Sequence, residues 1–247
     1  MVQHRNIPDV LRAMAESSVI ARISAQLTED RHVRATGQWG SCALVIAALV
    51  QAQLGRPMLI LTAHLDEADD AVDQLEFFRP GAAVPLFPAF EVLPGESNIS
   101  PELSAERLTL LSNLNAGQVP DFIVAPVQAV MQPCPDKDLL AEQLITLSIG
   151  RQLDREPLID WLARHGYTRL EAVENPGDFA VRGEILDIWL AGSEKPVRIG
   201  FADQQIEILH GFDPETLGPT GDIPSLNVTA MEKNTDWPRE KSVSLLS

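Results

Sequence analysis

Ala35-Thr36-Gly37-Gln38-Trp39-Gly40-Ser41-Cys42-Ala43, running into the apolar stretch 44–50, is laid out like a phosphate-binding loop that opens a helix. Such a loop holds nucleotide through backbone N–H groups, a lysine on the β- and γ-phosphates and a Ser or Thr hydroxyl on Mg²⁺. The glycines and the helix-like run are present, but counting from Met1 the first lysine is Lys137. Arg34 precedes the loop and approaches from the wrong side. Gly37, Gly40, Ser41 and Cys42 therefore describe a degenerate loop. The expectation is a motor-like fold kept for its surface, with no cofactor and no metal held by this chain.

Working outward, residues 8–30 carry Val10, Leu11, Met14, Val19, Ile20 and Ile23 at helical spacing. A helix over 42–54 ends at Gly55, and 57–63 forms a short strand of the kind buried on both faces. Residues 66–78 are helical with Ala68, Val72, Leu75 and Phe78 on one side, and 84–87 form another strand. Ser100-Pro101 caps a helix running to about Leu114, and 121–126 form a further buried strand. This alternation predicts a parallel sheet with helices on both faces.

The pattern changes after Gln132-Pro133-Cys134-Pro135. A strand over 145–149 leads to a helix over 155–165 closed by Gly166. Strands over 179–190, 197–201 and 205–209 then read as an antiparallel meander. The predicted class is α/β: a degenerate RecA- or helicase-like parallel-sheet domain over 1–134 and an inserted, smaller α+β domain over 135–224. Residues 225–247 are then the return strand and remainder of the first domain, and the last 16 carry no clear element.

Composition limits what this can be. Hydrophobic residues at 45% with 22% charged suit a packed soluble protein, and no apolar run approaches the roughly 20 residues of a membrane span. Residues 2–12 are polar and mixed, unlike a secretory leader, so a cytoplasmic setting without a membrane partner is expected. A net charge of −16 argues against gripping DNA through the bulk field and fits a basic protein surface better. Cys42 and Cys134 lack metal-ligand or framework spacing and read as small buried thiols. The five histidines are scattered. Leu65-Asp66-Glu67-Ala68-Asp69 spells the acidic motif of helicase motors, but its position suits the first turn of a helix, where carboxylates meet the positive end of the dipole.

Seven of the 19 Lys and Arg residues fall within 151–200, so basic groups gather in the meander. On an unbroken strand 181–189, alternation puts Arg182, Glu184, Leu186 and Ile188 on one face and Val181, Ile185, Asp187 and Trp189 on the other. Arginine mixed with exposed aliphatic groups is the composition of a protein interface. An ordinary strand with a solvated or paired arginine is the other reading.

Four strings carry a family likeness: Pro57-Met58-Leu59-Ile60-Leu61-Thr62-Ala63-His64 with Leu75-Glu76-Phe77-Phe78; residues 86–94 followed by Ser100-Pro101 and Arg107-Leu108; residues 122–132; and Asp178-Phe179-Ala180-Val181-Arg182-Gly183-Glu184-Ile185-Leu186-Asp187-Ile188-Trp189 with Gly192-Ser193, then Arg198-Ile199-Gly200-Phe201 and Gln205-Ile206-Glu207. Over about residues 20–231 the chain resembles the UvrB-homology module at the N-terminus of the bacterial transcription-repair coupling factor, Mfd. UvrB itself fits less well, because its tyrosine-rich DNA-clamping hairpin has no counterpart in a chain whose single tyrosine is Tyr167.

The resemblance implies a non-catalytic adaptor of transcription-coupled nucleotide excision repair that recruits UvrA to stalled RNA polymerase. It places the partner-binding contacts on Arg169 and Arg182, with Glu184 and Leu186 on the adjacent strand face. ATP binding, helicase-type hydrolysis, DNA and RNA polymerase are expected only through domains outside this sequence. The alternative is a UvrB-like ATPase or damaged-DNA-binding fragment; a third reading is a scaffold that covers its own arginine face.

Overall fold

The computed structural model describes residues 7–29, 32–90, 100–231 and 242–243. Of the quoted strings, 91–94 lie outside the described residues, as do 232–241 and 244–247 of the C-terminal stretch. In chain order the elements are α1 (Ile7–Ala15), α2 (Ser18–Glu29), α3 (Cys42–Leu54), β1 (Met58–Thr62), α4 (Leu65–Phe78), α5 (Pro101–Asn115), β2 (Phe122–Pro126), α6 (Val127–Met131), β3 (Cys134–Pro135), α7 (Lys137–Glu142), β4 (Leu144–Ser148) and α8 (Arg155–Arg164). Then follow β5 (Thr168–Leu170), β6 (Asp178–Arg182), β7 (Ile185–Ile188), β8 (Val197–Ala202), β9 (Gln205–Phe212), β10 (Pro219–Asp222), β11 (Ser225–Thr229) and β12 (Ser242–Val243). The architecture is mixed α/β. No helix among the described residues is long and apolar enough to cross a membrane.

The chain divides into two compact units, 1–87 with 119–128, and 88–118 with 129–247. In the first, β1 and β2 pair in parallel, with Ile60 opposite Val124. On the other side of β2, Leu86 bridges Val124 in parallel and the Phe87 N–H donates to Val124 O at 2.7 Å. The Phe122 and Val124 N–H groups also donate to Ala83 O and Pro85 O, both at 3.1 Å, so the strand expected over 84–87 is an extended segment bonded along β2 with a single bridge pair.

The helices of this unit form for local reasons. Gly55 ends α3 in the left-handed conformation (φ 60°), its N–H donating to Gln51 O at 2.8 Å. Asp66 and Glu67 lie in the first turn of α4, as their position in the sequence implied, and Glu67 Oε2 accepts from the Ala63 N–H at 3.0 Å. Ala48 of α3 packs with Ala68, Ala71 and Leu75 of α4 against Phe122 and Val124, and Met58 and Ile60 join them. Leu59 and Leu61 are exposed. Among the described residues β1 is therefore covered on one face, not on both, because α3 and α4 pack on the same side.

In the second unit, β5 to β10 form a six-stranded sheet in the order β10-β9-β8-β7-β6-β5, antiparallel except for the β5–β6 pair. The meander expected from the sequence is present, but the strand over 179–190 is two strands joined by a tight turn at Gly183-Glu184. Leu158, Ile159 and Leu162 of α8 pack with Phe179, Leu186, Ile188, Ile199 and Ile206 on one face of the sheet. β11 pairs with β4, so the stretch expected to return to the first domain closes the second unit instead. Likewise α5, expected before the boundary at 134, packs through Leu108 against Leu140 and Ala230. Cys134 is buried and Cys42 half-buried, and both are free.

One glycine fastens this unit. Gly166 follows α8 with φ 90°, and a Cβ there would lie 2.2 Å from Met231 O. The Met231 N–H donates to His165 O at 2.8 Å, and Tyr167 Oη donates to Thr229 O at 2.8 Å. The end of α8 is thus clasped backbone to backbone by the chain leaving β11. Gly166→Ala is expected to cost about 2–4 kcal/mol of stability in urea unfolding. Gly117→Ala, also left-handed (φ 79°) but with open space around it, should lose only about 1 kcal/mol.

Candidate protein-interaction site

The loop over 35–43 is irregular backbone in which Gly37 (φ 80°) and Gly40 (φ 53°) both take left-handed conformations. Trp39 stands almost fully exposed, and Ser41 precedes α3 without a side-chain capping bond. A cleft of about 390 Å³ beside the loop is lined by Arg22 of α2, Arg34, Gly37 and Cys42, together with Ile23 and Ile46. The cations at this loop are therefore arginines carried outside the loop-to-helix junction. The described residues of the first unit include no lysine. No group of three or more His, Cys, Asp or Glu side chains among the described residues could hold a metal ion.

The meander presents a different chemistry. Gly183 (φ 58°) and Glu184 form a two-residue turn, the left-handed glycine matching the twist that such hairpin turns require. Arg155, at the start of α8, donates to Gly183 O and forms ion pairs with Glu184 (3.3 Å) and Glu156 (3.2 Å). The turn fixes a register in which Arg182 faces Ile185 and Val181 faces Leu186.

This register corrects the face read from an unbroken strand. Leu186 is 0% exposed and sits in the core with Ile188, on the side opposite Arg182. Ile185, read from the sequence as lying on the face opposite Arg182, is 37% exposed and shares the outer face with Arg182. The two turn residues shift the alternation by one position, and a one-residue shift moves every later side chain to the other face. Leu186 is thus a packing residue and cannot touch a partner directly.

The outer face reads across the strands in two rows. One row is Arg182, Ile185, Gly200 and Ile208, and the other is Ala180, Asp187, Arg198 and His210. In the second row Arg198 donates to both oxygens of the buried Asp187 carboxylate, at 2.7 and 2.8 Å, and lies 4.8 Å from the centre of the Phe212 ring. The bond to Asp187 holds the Arg198 pKa above its ordinary value, with burial opposing. In the first row Arg182 donates twice to Glu171 O, at 3.2 and 2.9 Å, and has no carboxylate partner among the described residues. Glu184 is exposed at the turn. Arg169, exposed on edge strand β5, sits in register with Phe179, so it starts from the opposite side of the sheet from Arg182. Ile185, Gly200 and Ile208 were not legible as a surface; the signal was Gly183, a glycine inside an apparent strand.

Residues 145–233, which contain the whole six-stranded sheet, match the family model described as the UvrB interaction domain. The chain is also similar to the transcription-repair-coupling factor of Bacillus subtilis (strain 168), 28% identical over 207 residues, covering 83% of this chain and 18% of that protein. The protein of the same name from Myxococcus xanthus is 30% identical over 204 residues, covering 79% and 17%. The one from Staphylococcus aureus (strain bovine RF122 / ET3-1) is 29% identical over 195 residues, covering 78% and 16%. The chain thus spans less than a fifth of the length of these relatives.

The Asp187–Arg198 pair ties β7 to β8 across the outer face. Arg198→Ala would leave a buried carboxylate without its bidentate partner and should cost about 2–3 kcal/mol in urea unfolding. Arg198→Lys, which keeps the charge but not the fork geometry, should restore part of that loss.

Proposed function

We propose that this chain, a UvrB-homology module of the transcription-repair-coupling factor type, is an adaptor that recruits UvrA and performs no nucleotide chemistry of its own. The observation that carries this reading is an overlap between the family match and the sheet. The segment matched as a UvrB interaction domain is also the part that holds the antiparallel sheet with the uncompensated Arg182 on its open face. A guanidinium held by one carbonyl still has donors free for a partner carboxylate, and bidentate pairing of that kind is strong and directional.

The degenerate loop supports the non-catalytic half of the reading. A phosphate-binding loop without its lysine loses the group that meets the β- and γ-phosphates. Arg22 and Arg34 line the neighbouring cleft, but they stand outside the loop-to-helix junction where that lysine would reach. In this reading the first unit is a framework, and any ATP-driven work, DNA contact or RNA polymerase contact belongs to other parts of a longer protein. Arg169, carried over from the family likeness, joins the interface from the sheet edge, while Leu186 shapes it from beneath.

Titration calorimetry of the chain with UvrA tests this. The wild-type chain should bind, and Arg182→Ala should weaken binding about tenfold or more. Arg34→Ala, at the degenerate loop, should bind like wild type. Equal binding by wild type and Arg182→Ala would remove Arg182 from the interface, and no binding by wild type would remove UvrA as the partner.

A further inference from the structure

Beside Arg182 the outer face carries an apolar strip that the sequence pattern had hidden. Ile185, Gly200 and Ile208 lie directly across from one another on β7, β8 and β9. Ile185 is 37% exposed and Ile208 46%. Two aliphatic side chains left open on either side of a glycine in one row form a patch rather than scattered surface residues.

Gly200 gives the strip its shape. A Cβ at this position would come within 2.9 Å of Ile208 Cβ and 3.1 Å of its Cδ1. With no side chain there, Ile208 lies down over the β8 backbone, and the strip stays low and continuous toward Ile185. The other end of this face is closed, since Phe212 is wholly buried under Arg198. Only the end next to the Gly183-Glu184 turn is open. Its rim is polar: Arg155, Glu156, Glu184 and Asp203 line a cleft there. An apolar centre with a charged rim is the anatomy of a protein interface.

We propose that the strip Ile185–Gly200–Ile208 is the apolar centre of the surface that binds UvrA, and that it takes a segment presenting an aliphatic or aromatic side chain next to a carboxylate. This rests on the reading that UvrA is the partner. The charge argument selects such a segment. Arg155 and Arg198 each have a carboxylate within the chain, whereas Arg182, adjoining the strip, has none among the described residues of a protein with net charge −16. An acid supplied by the partner satisfies Arg182 and sets the register of whatever covers Ile185 and Ile208. Arg182 then provides orientation, and the strip provides most of the area removed from water.

The test is calorimetry with UvrA using Ile185→Thr and Ile208→Thr, which keep β-branched side chains on their strands. Ile208→Val, which trims one methylene, is the milder variant that cannot unfold the sheet. Leu59→Thr, at an exposed strand position in the first unit, is the control. Each Thr variant should weaken binding about tenfold, Ile208→Val should weaken it less, and Leu59→Thr should match wild type. If Arg182→Ala weakens binding while Ile185→Thr and Ile208→Thr bind as wild type, the strip is overturned and the UvrA reading stands. If the wild-type chain does not bind UvrA, that reading fails and the strip's occupant fails with it.

Discussion

The left-handed backbone at Gly183 is the constraint on which the second unit depends. It lets β6 turn back after Arg182 within two residues, and the turn sets which side of the sheet each later residue occupies. Leu186 and Ile188 go inward to Phe179 and the α8 side chains, while Arg182 and Ile185 go outward. A slip of one residue would expose Leu186 and bury Arg182, exchanging an apolar contact for an unpaired buried charge. Arg155 adds a restraint by bonding Gly183 O and pairing with Glu184, so the first residue of α8 holds the turn above the core that α8 covers. Core and surface are thus two consequences of one turn.

That dependence explains what was legible in the sequence. The loop over 35–43, the helix ending at Gly55 and the capped helix after Ser100 were readable because each rests on local chemistry: glycines, an apolar run, a Ser-Pro start. The meander was readable from its repeated β-rich segments. The turn was not, since Gly183-Glu184 lacks the Asn-Gly or Asp-Gly signature and is flanked by residues that alternate well as a single strand. Short elements such as β5, β10 and α7 escaped for want of enough residues to show a period. The placement of α5 and β11 was also out of reach, because it depends on contacts made far along the chain by Leu140, Ala230 and the β4 partner strand. One site residue therefore changed meaning. Leu186 moved from surface to core, and Ile185 and Ile208 took its place outside.

The second unit carries two kinds of arginine chemistry, and burial decides which is which. Arg107 is 1% exposed, donating to Pro88 O at 2.7 Å and to Ala129 O at 3.2 Å while lying 4.5 Å over Phe90. Arg198 is locked to Asp187. Both are spent on the fold. Arg182, tied only to a neutral carbonyl, keeps its charge available on the outer face. At the degenerate loop, by contrast, Gly37 and Gly40 shape a cleft flanked by arginines but lacking the lysine through which nucleotide chemistry would run.

Hydrogen–deuterium exchange of the chain with and without UvrA tests this most directly. UvrA should slow exchange at the Gly183-Glu184 turn and through residues 200–208, and leave residues 35–43 unchanged. Protection of residues 35–43 with no change at the turn would contradict the account.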